Sequence, residues 1–214
     1  GSTRLPGKVL KKLAGETVLS HVLRRCKQIE GIDTVCCAVP NSANSDSVAE
    51  EAVRCGAVVF RGTEYDVLNR YYKAAQEIGA DVIVRVTSDC PLIDPEICGE
   101  VLWALKNADY ACNNMPRRWP HGLDCEAFTI KALEFAQREH VTPYLRTHPD
   151  VLRMNTLGPG ARGRWTLDYP EDLAFFKALF KKIDREAGFD EVWQVLQNHP
   201  EIGAINEGRY EPAA

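Results

Sequence analysis

The stretch "DVIVRVTSDCPLIDPEICGEVLWALK", residues 81–106, decides the architecture. Residues 81–87 are dominated by Val and Ile and read as a β-strand that is apolar on both faces. Asp94 then precedes Pro95, the pairing of an N-cap with a proline at the first helical position, so a helix starts there. A two-faced strand passing through a short turn into a helix is the repeating unit of a parallel-rich α/β sheet. Asp89 falls two residues past the strand, on the edge where such sheets bind ligands.

The same alternation runs outward in both directions. Upstream, "GETVLSHVLRRCKQI" (15–29) carries Val18, Leu19, Val22 and Leu23 at helical spacing. "TVCCAV" (34–39) reads as a buried strand, "SDSVAEEAVRCG" (45–56) as a helix stopped at Gly56, and "AVVF" (57–60) as a short strand. "GTEYDVLNRYYKAAQEIG" (62–79) opens on the capping-box pattern Thr63-x-x-Asp66 and closes at Gly79. Downstream of residue 108 the rhythm loosens. A short strand in "DYACN" leads to a Trp/Arg/Pro loop (116–121), then "DCEAFT" and two helices across 130–146. "GRWTLD" (163–168) reads as a further strand, followed by a helix from Pro170 with Leu173, Phe176, Leu179 and Phe180 on one face, and a last helix in "DEVWQVLQNH".

No Pro/Gly/Ser-rich linker interrupts these segments, so the expectation is one domain over residues 1–214, a three-layer, mostly parallel sheet with helices on both faces. Such sheets start with a strand that delivers the chain into the first loop. Nothing precedes the loop here, and the first strand is expected to be missing.

With 214 residues, 45% of them hydrophobic, the chain can bury a full core. Thirty acidic against 26 basic residues, a net charge of -4, argue against a surface coated for nucleic acid or anionic lipid. No apolar run approaches the roughly 18 residues of a membrane span and no signal-peptide pattern occurs, so a cytoplasmic protein without membrane contact is expected. The eight cysteines form no C-x-x-C pair, and adjacent Cys36 and Cys37 point to opposite faces of a strand. Buried thiols in a reducing compartment fit better than disulfides or a zinc site.

Three segments reach the ligand edge. "GSTRLPGKVLKK" (1–12) holds four basic residues and no acid. Ser2, Arg4 and Lys8, among turn-forming residues whose backbone N–H groups can approach a ligand, suit a phosphate chain, although the G-x-x-x-x-G-K-[ST] pattern is absent. Alone, the segment reads equally as a solvated basic tip. Asp89 suits a carboxylate holding Mg²⁺ against phosphates, or simply one capping the turn before Pro91; Cys90 beside it reads as a small wall residue. Asp168 ends the 163–168 strand, while Glu171 and Asp172 read as first-turn acids facing the helix dipole. Together the two strand-end aspartates and the basic loop fit a nucleoside triphosphate with Mg²⁺. His140, between Arg138, Glu139 and Tyr144, fits either a pocket or a surface junction of two helices.

The motifs then add a resemblance. "GSTRLPGKVLKKLAGETVLSHVLRR" resembles the opening of bacterial sugar-acid cytidylyltransferases, the group that includes CMP-Kdo synthetase. "FRGTEYDVLNRYYKAA", "VIVRVTSDCPLIDP", "HGLDCEAFT", "REHVTPYLRTHP" and "RWTLDYPEDL" resemble its spore-coat polysaccharide branch, in the family's order and over nearly the whole chain. The resemblance implies a nucleotide-diphosphosugar-transferase-like fold and a CTP-dependent transfer that makes a CMP-sugar and pyrophosphate, with a sugar or sugar acid as acceptor. It implies that Ser2, Arg4 and Lys8 hold the triphosphate and that Asp89 and Asp168 hold Mg²⁺. Thr63, Glu64, Asp66 and Arg70 would help form the nucleotide pocket, and Gly122, Asp124, Glu126, Arg138, His140 and Arg164 would lie on the sugar side. A homodimer through 108–146 is compatible with it.

The chain departs from the family at Ser88, often Gly, at His121, often Asp, and in lacking the opening strand that ends in "QARM" with its phosphate-contacting arginine. A natural protein longer by about ten residues, one strand and a loop, is the resulting expectation. Two other readings stay open: a glycosyltransferase on a similar fold, against which the absence of D-x-D counts, and a truncated relative that binds nucleotide without turnover.

Overall fold

The computed structural model describes residues 4–138, 145, 153–156 and 158–210, without side chains at 137 and 138. Near the N-terminus a small antiparallel pair, β1 (Lys12–Leu13) and β2 (Glu16–Thr17), leads into α1 (Val18–Cys26). Thr17 caps α1, its hydroxyl accepting from Ser20 N at 3.0 Å. β3 (Cys36–Pro40) and β4 (Val58–Gly62) pair in parallel around the crossover helix α2 (Asp46–Arg54). Both strands and the helix lie where the sequence pattern puts them.

A second sheet has the order β5 (Val82–Arg85), β7 (Glu126–Thr129), β6 (Tyr110–Cys112), β8 (Arg153–Asn155). β6 and β8 are parallel, while β7 runs against both of its neighbours. The strand period of two sorts its side chains. Ala111 and Ala127 face α1 and α4 (Pro95–Ala104), in a cluster with Val22, Cys98, Val101 and Cys125. Tyr110 and Phe128 face the opposite side, where they meet Leu133 of α5 (Ile130–Arg138) and Leu68 and Tyr71 of α3 (Val67–Ile78). Helices thus cover both faces. A further cluster at the carboxyl edge joins Leu5, Leu13, Trp165 and Leu167 to α6 (Pro170–Leu179), α7 (Phe189–Asn198) and α8 (Pro200–Gly203).

Two local readings are corrected. The cap of α3 is Asp66, whose carboxylate accepts from Asn69 N at 2.8 Å, not Thr63; three residues after Asp66 the chain is already helical. Residues 163–168 form no strand. Arg164 makes a single parallel bridge with His121, and Leu167 N donates to the Asp89 carbonyl at 2.8 Å, so the backbone is tied on two sides without a ladder. Of the two helices expected across 130–146, α5 is observed and the second lies outside the described residues.

Between β3 and β5 runs a cleft of about 2030 Å³. Leu19, Val22 and Cys26 of α1, Cys37 of β3 and Val84 of β5 line it, and Gly7, Lys8 and Val9 reach its mouth. Among the described residues no strand pairs with the far edge of β3 or with that of β5. The two sheets are therefore joined by helices and side chains, not by a hydrogen-bonded ladder.

Candidate active site

The first loop is held from inside the protein. Leu5 is buried in the carboxyl-edge cluster, and its carbonyl accepts from Lys8 N at 3.2 Å. Gly7 takes a left-handed φ of 64°, which turns the chain into a short 3₁₀ segment, Lys8–Leu10. This geometry aims Lys8 across the sheet edge. Its Nζ donates to Asp89 Oδ2 in a very short contact and to Asp168 Oδ1 at 2.9 Å. Arg4 donates to the same Asp168 Oδ1 at 3.0 Å and to the Tyr169 hydroxyl at 3.1 Å. On the far side, Arg164 reaches Asp168 Oδ2 at 3.0 Å.

The three segments singled out in the sequence thus converge on one point. Burial pulls the Lys8 ammonium down, but the facing carboxylates of Asp89 and Asp168 outweigh it and hold the group above its ordinary value. Burial likewise pushes Asp168 up, and Lys8, Arg4 and Arg164 more than reverse this, leaving it below the usual carboxylate range. Burial raises the Cys90 thiol, which lies 2% exposed against Thr87; it is a wall residue with no thiolate chemistry to offer.

The donor set fits a hard divalent cation. Carboxylate oxygens of Asp89 and Asp168 both reach a single cationic nitrogen, and two carboxylates complemented by phosphates and water are what Mg²⁺ usually takes. No group of three or more His, Cys, Asp or Glu side chains suited to a metal occurs among the described residues.

The other predicted residues fall into separate places. Glu64 and Arg70 line the cleft whose mouth holds Lys8, while Asp66 is used as a cap and the Thr63 carbonyl accepts from Arg70 at 2.6 Å. Asp124 is held in a two-point pair by Arg117, at 3.1 Å for each bond, with His121 Nε2 3.7 Å away. Burial and the Arg117 charge keep His121 below its usual value, against the pull of Asp124. Glu126 lies in β7, buried between Arg85 and Tyr110, so its carboxylate is engaged within the sheet. Gly122 has a backbone reason for being glycine: φ is 118°, and a Cβ there would stand 2.3 Å from the Trp165 carbonyl oxygen. Ser2 and His140 lie outside the described residues, as does the side chain of Arg138.

Several members of the site carried no recognised signal. The Tyr169 ring has three guanidinium groups around it, those of Arg209 at 4.4 Å, Arg4 at 4.8 Å and Arg164 at 5.3 Å. Asp172, fully buried, accepts from Arg164 and from the backbone N–H groups of Asp168 and Tyr169. It is a first-turn acid, as its position suggested, and also the anchor of the loop that bears Asp168. The stretch Gly158–Gly163 does spell G-x-G-x-x-G, yet it opens no helix, and Gly158 packs against the Trp119 ring.

A basic loop and two carboxylates thus meet at the edge of a helix-covered α/β sheet, an arrangement whose charges suit a phosphate chain with a divalent cation. The comparisons give the class a name. The fold matches a solved cytidylyltransferase from Leptospira borgpetersenii with a TM-score of 0.87, at 29% identity, over 95% of this chain and 92% of that one. The cytidylyltransferase family profile matches residues 1–162, and the chain belongs to that family. An uncharacterised protein of Methanocaldococcus jannaschii is 35% identical over 96% of this chain and 90% of its own length. Spore coat polysaccharide biosynthesis protein SpsF of Bacillus subtilis is 30% identical over 97% and 94%. Among the described residues no helix is long and apolar enough to cross a membrane.

Proposed function

We propose that this cytidylyltransferase joins the CMP part of CTP to a hydroxyl of a sugar acid or related sugar and releases pyrophosphate, in the making of a surface polysaccharide. The observation that carries the reading is the meeting of Lys8, Asp89 and Asp168 at the carboxyl edge, with Arg4 alongside. In the reaction a hydroxyl oxygen of the sugar bonds to the α-phosphorus, the bond from that phosphorus to the α–β bridging oxygen breaks, and the hydroxyl proton passes to solvent. Arg4 and Lys8 bind and orient the departing phosphates and meet the charge that gathers on them. Asp89 and Asp168 would hold Mg²⁺, which when bound neutralises phosphate oxygens. Arg164 keeps Asp168 turned toward the loop. Positioning and electrostatics carry most of such a transfer, so no dedicated general base is required.

The test is pyrophosphate release from CTP, with UTP as control, over a panel of sugar acids, and mass spectrometry of the product. Release that requires CTP, a sugar and a divalent cation, with a CMP-sugar as product, supports the reading. Binding of CTP without turnover across the panel, or equal use of UTP, overturns it.

A further inference from the structure

The buried carboxylate of Asp172 has one partner from far along the chain. Asn206, 3% exposed, lies just ahead of the 3₁₀ turn Glu207–Arg209. Its Nδ2 donates to Asp172 Oδ1 and to the Arg164 carbonyl oxygen, both at 2.9 Å. Asp172 in turn takes Arg164 through Nε at 2.9 Å and through NH2 at 3.2 Å, and that same NH2 reaches Asp168 Oδ2 at 3.0 Å. Asp172 Oδ2 also accepts from Asp168 N at 2.8 Å and Tyr169 N at 2.9 Å. One oxygen of Asp168 is therefore fixed from behind, and the other is left toward Lys8 and Arg4.

We propose that Asn206 is a positioning residue: through Asp172 and Arg164 it sets the direction in which Asp168 presents its Oδ1 to a cation. The inference rests on the reading of Asp168 as a divalent-cation ligand given above. Three observations carry it. Both hydrogens of the Asn206 amide nitrogen have buried acceptors, so the amide cannot turn without leaving Asp172 Oδ1 and the Arg164 carbonyl short of a donor. Arg164 is held at its backbone by Asn206 and at its guanidinium by Asp172, which leaves its reach to Asp168 little freedom. The segment is fastened a second time, by Arg209, which pairs with Glu171 at 3.0 Å and stacks on Tyr169. Partners that orient a metal-binding carboxylate typically matter 10- to 100-fold in metal affinity.

The test measures Mn²⁺ binding in the presence of CTP, by electron paramagnetic resonance of free Mn²⁺, for the intact chain and three variants. Asn206→Asp keeps the shape but cannot donate, and Asn206→Ala removes the group without adding a charge. Ile202→Val thins the packing of the same segment, where Ile202 is buried, without touching Asp172. Expected is a loss of Mn²⁺ affinity of about tenfold or more in both Asn206 variants, with CTP binding in the absence of metal unchanged, and wild-type affinity in Ile202→Val. Affinity within twofold of wild type in Asn206→Ala overturns the proposal, as does an equal loss in Ile202→Val. Should the unaltered chain bind no Mn²⁺ with CTP, the reading of Asp168 as a cation ligand fails and the role given to Asn206 fails with it.

Discussion

Replacing Lys8 by Met removes one charge and keeps the stem. It should weaken the pH dependence of stability. Oxygens of Asp89 and Asp168 both lie within hydrogen-bond reach of the Lys8 nitrogen, so they are no more than about 6 Å apart. The two side chains keep only 21% and 15% of their surface exposed. Two like charges at that distance repel by about 3 kcal/mol at an effective dielectric near 20 once the lysine between them is gone. Burial pushes Asp168 up and Lys8 is the chief attraction that reverses this, so the Asp168 carboxyl should titrate higher without it, while Arg4 and Arg164, each 3.0 Å away, still pull it down.

The size of the pH dependence then differs between the two proteins. In the unaltered chain the depressed Asp168 contributes stability that is present above about pH 4 and lost as the pH falls through its lowered folded value. In Lys8→Met that contribution shrinks, so the variant should gain less stability than the parent as the pH rises through the carboxylate range. At pH 7 the variant should melt about 6–12 °C lower, at 2–4 °C per kcal/mol for a chain of this size. Pyrophosphate release should fall about 10²- to 10³-fold. Differential scanning calorimetry from pH 4 to pH 7 reads the stability directly. A variant whose melting temperature rises with pH as the parent's does, and stays within a degree or two of it, would refute the picture of two carboxylates sharing one lysine.

Three further outcomes follow from features away from Lys8. Gly122→Ala should cost about 1–3 kcal/mol in a urea titration, because the left-handed φ and the Trp165 carbonyl, 2.3 Å from where the Cβ would stand, both oppose it; a neutral result would mean that the His121–Arg164 bridge is looser than described. Asp94→Ala should cost about 2 kcal/mol by the same measurement, since Asp94 caps α4 at Glu96 N and Ile97 N and also holds Phe189 N at the start of α7. In hydrogen exchange followed by mass spectrometry, peptides covering β3 and β5 should exchange faster than those covering β6 and β7, which have neighbours on both sides. Equal protection would show that the far edges of β3 and β5 are covered in solution.

How far the sequence reached depended on whether a signal was local. The cap at Asp94 and the left-handed stop at Gly79 are dictated by residues within four positions of each other. Asp89 and Asp168 were found by their place at strand or helix ends, and the shared contact with Lys8 joins residues 81 and 160 positions apart. Glu126 shows the opposite. The resemblance implied a place on the sugar side, but it sits on a buried β-strand where Arg85 and Tyr110, far off in sequence, engage its carboxylate. The 163–168 segment has the composition of a strand, yet its hydrogen bonds go to a loop and a turn, which no periodicity reveals. Asn206 had no signature at all, because an asparagine near a chain end looks the same whether it is solvated or buried against Asp172.

The break between β3 and β5 has a mechanical consequence. A continuous sheet transmits force along its hydrogen bonds, which resist stretching in the plane. Across this seam the load passes through α1, which packs Val22 with Val84 on the β5 side and Leu19 and Leu23 with Cys37 on the β3 side, by dispersion contacts that fade within a fraction of an ångström. Val84 and Arg85 of β5 line one wall of it, and Cys37 and Ala38 of β3 line the other. The spacing between those two walls is therefore gauged by side-chain volume, and a single methyl group added or removed along the seam acts as a shim.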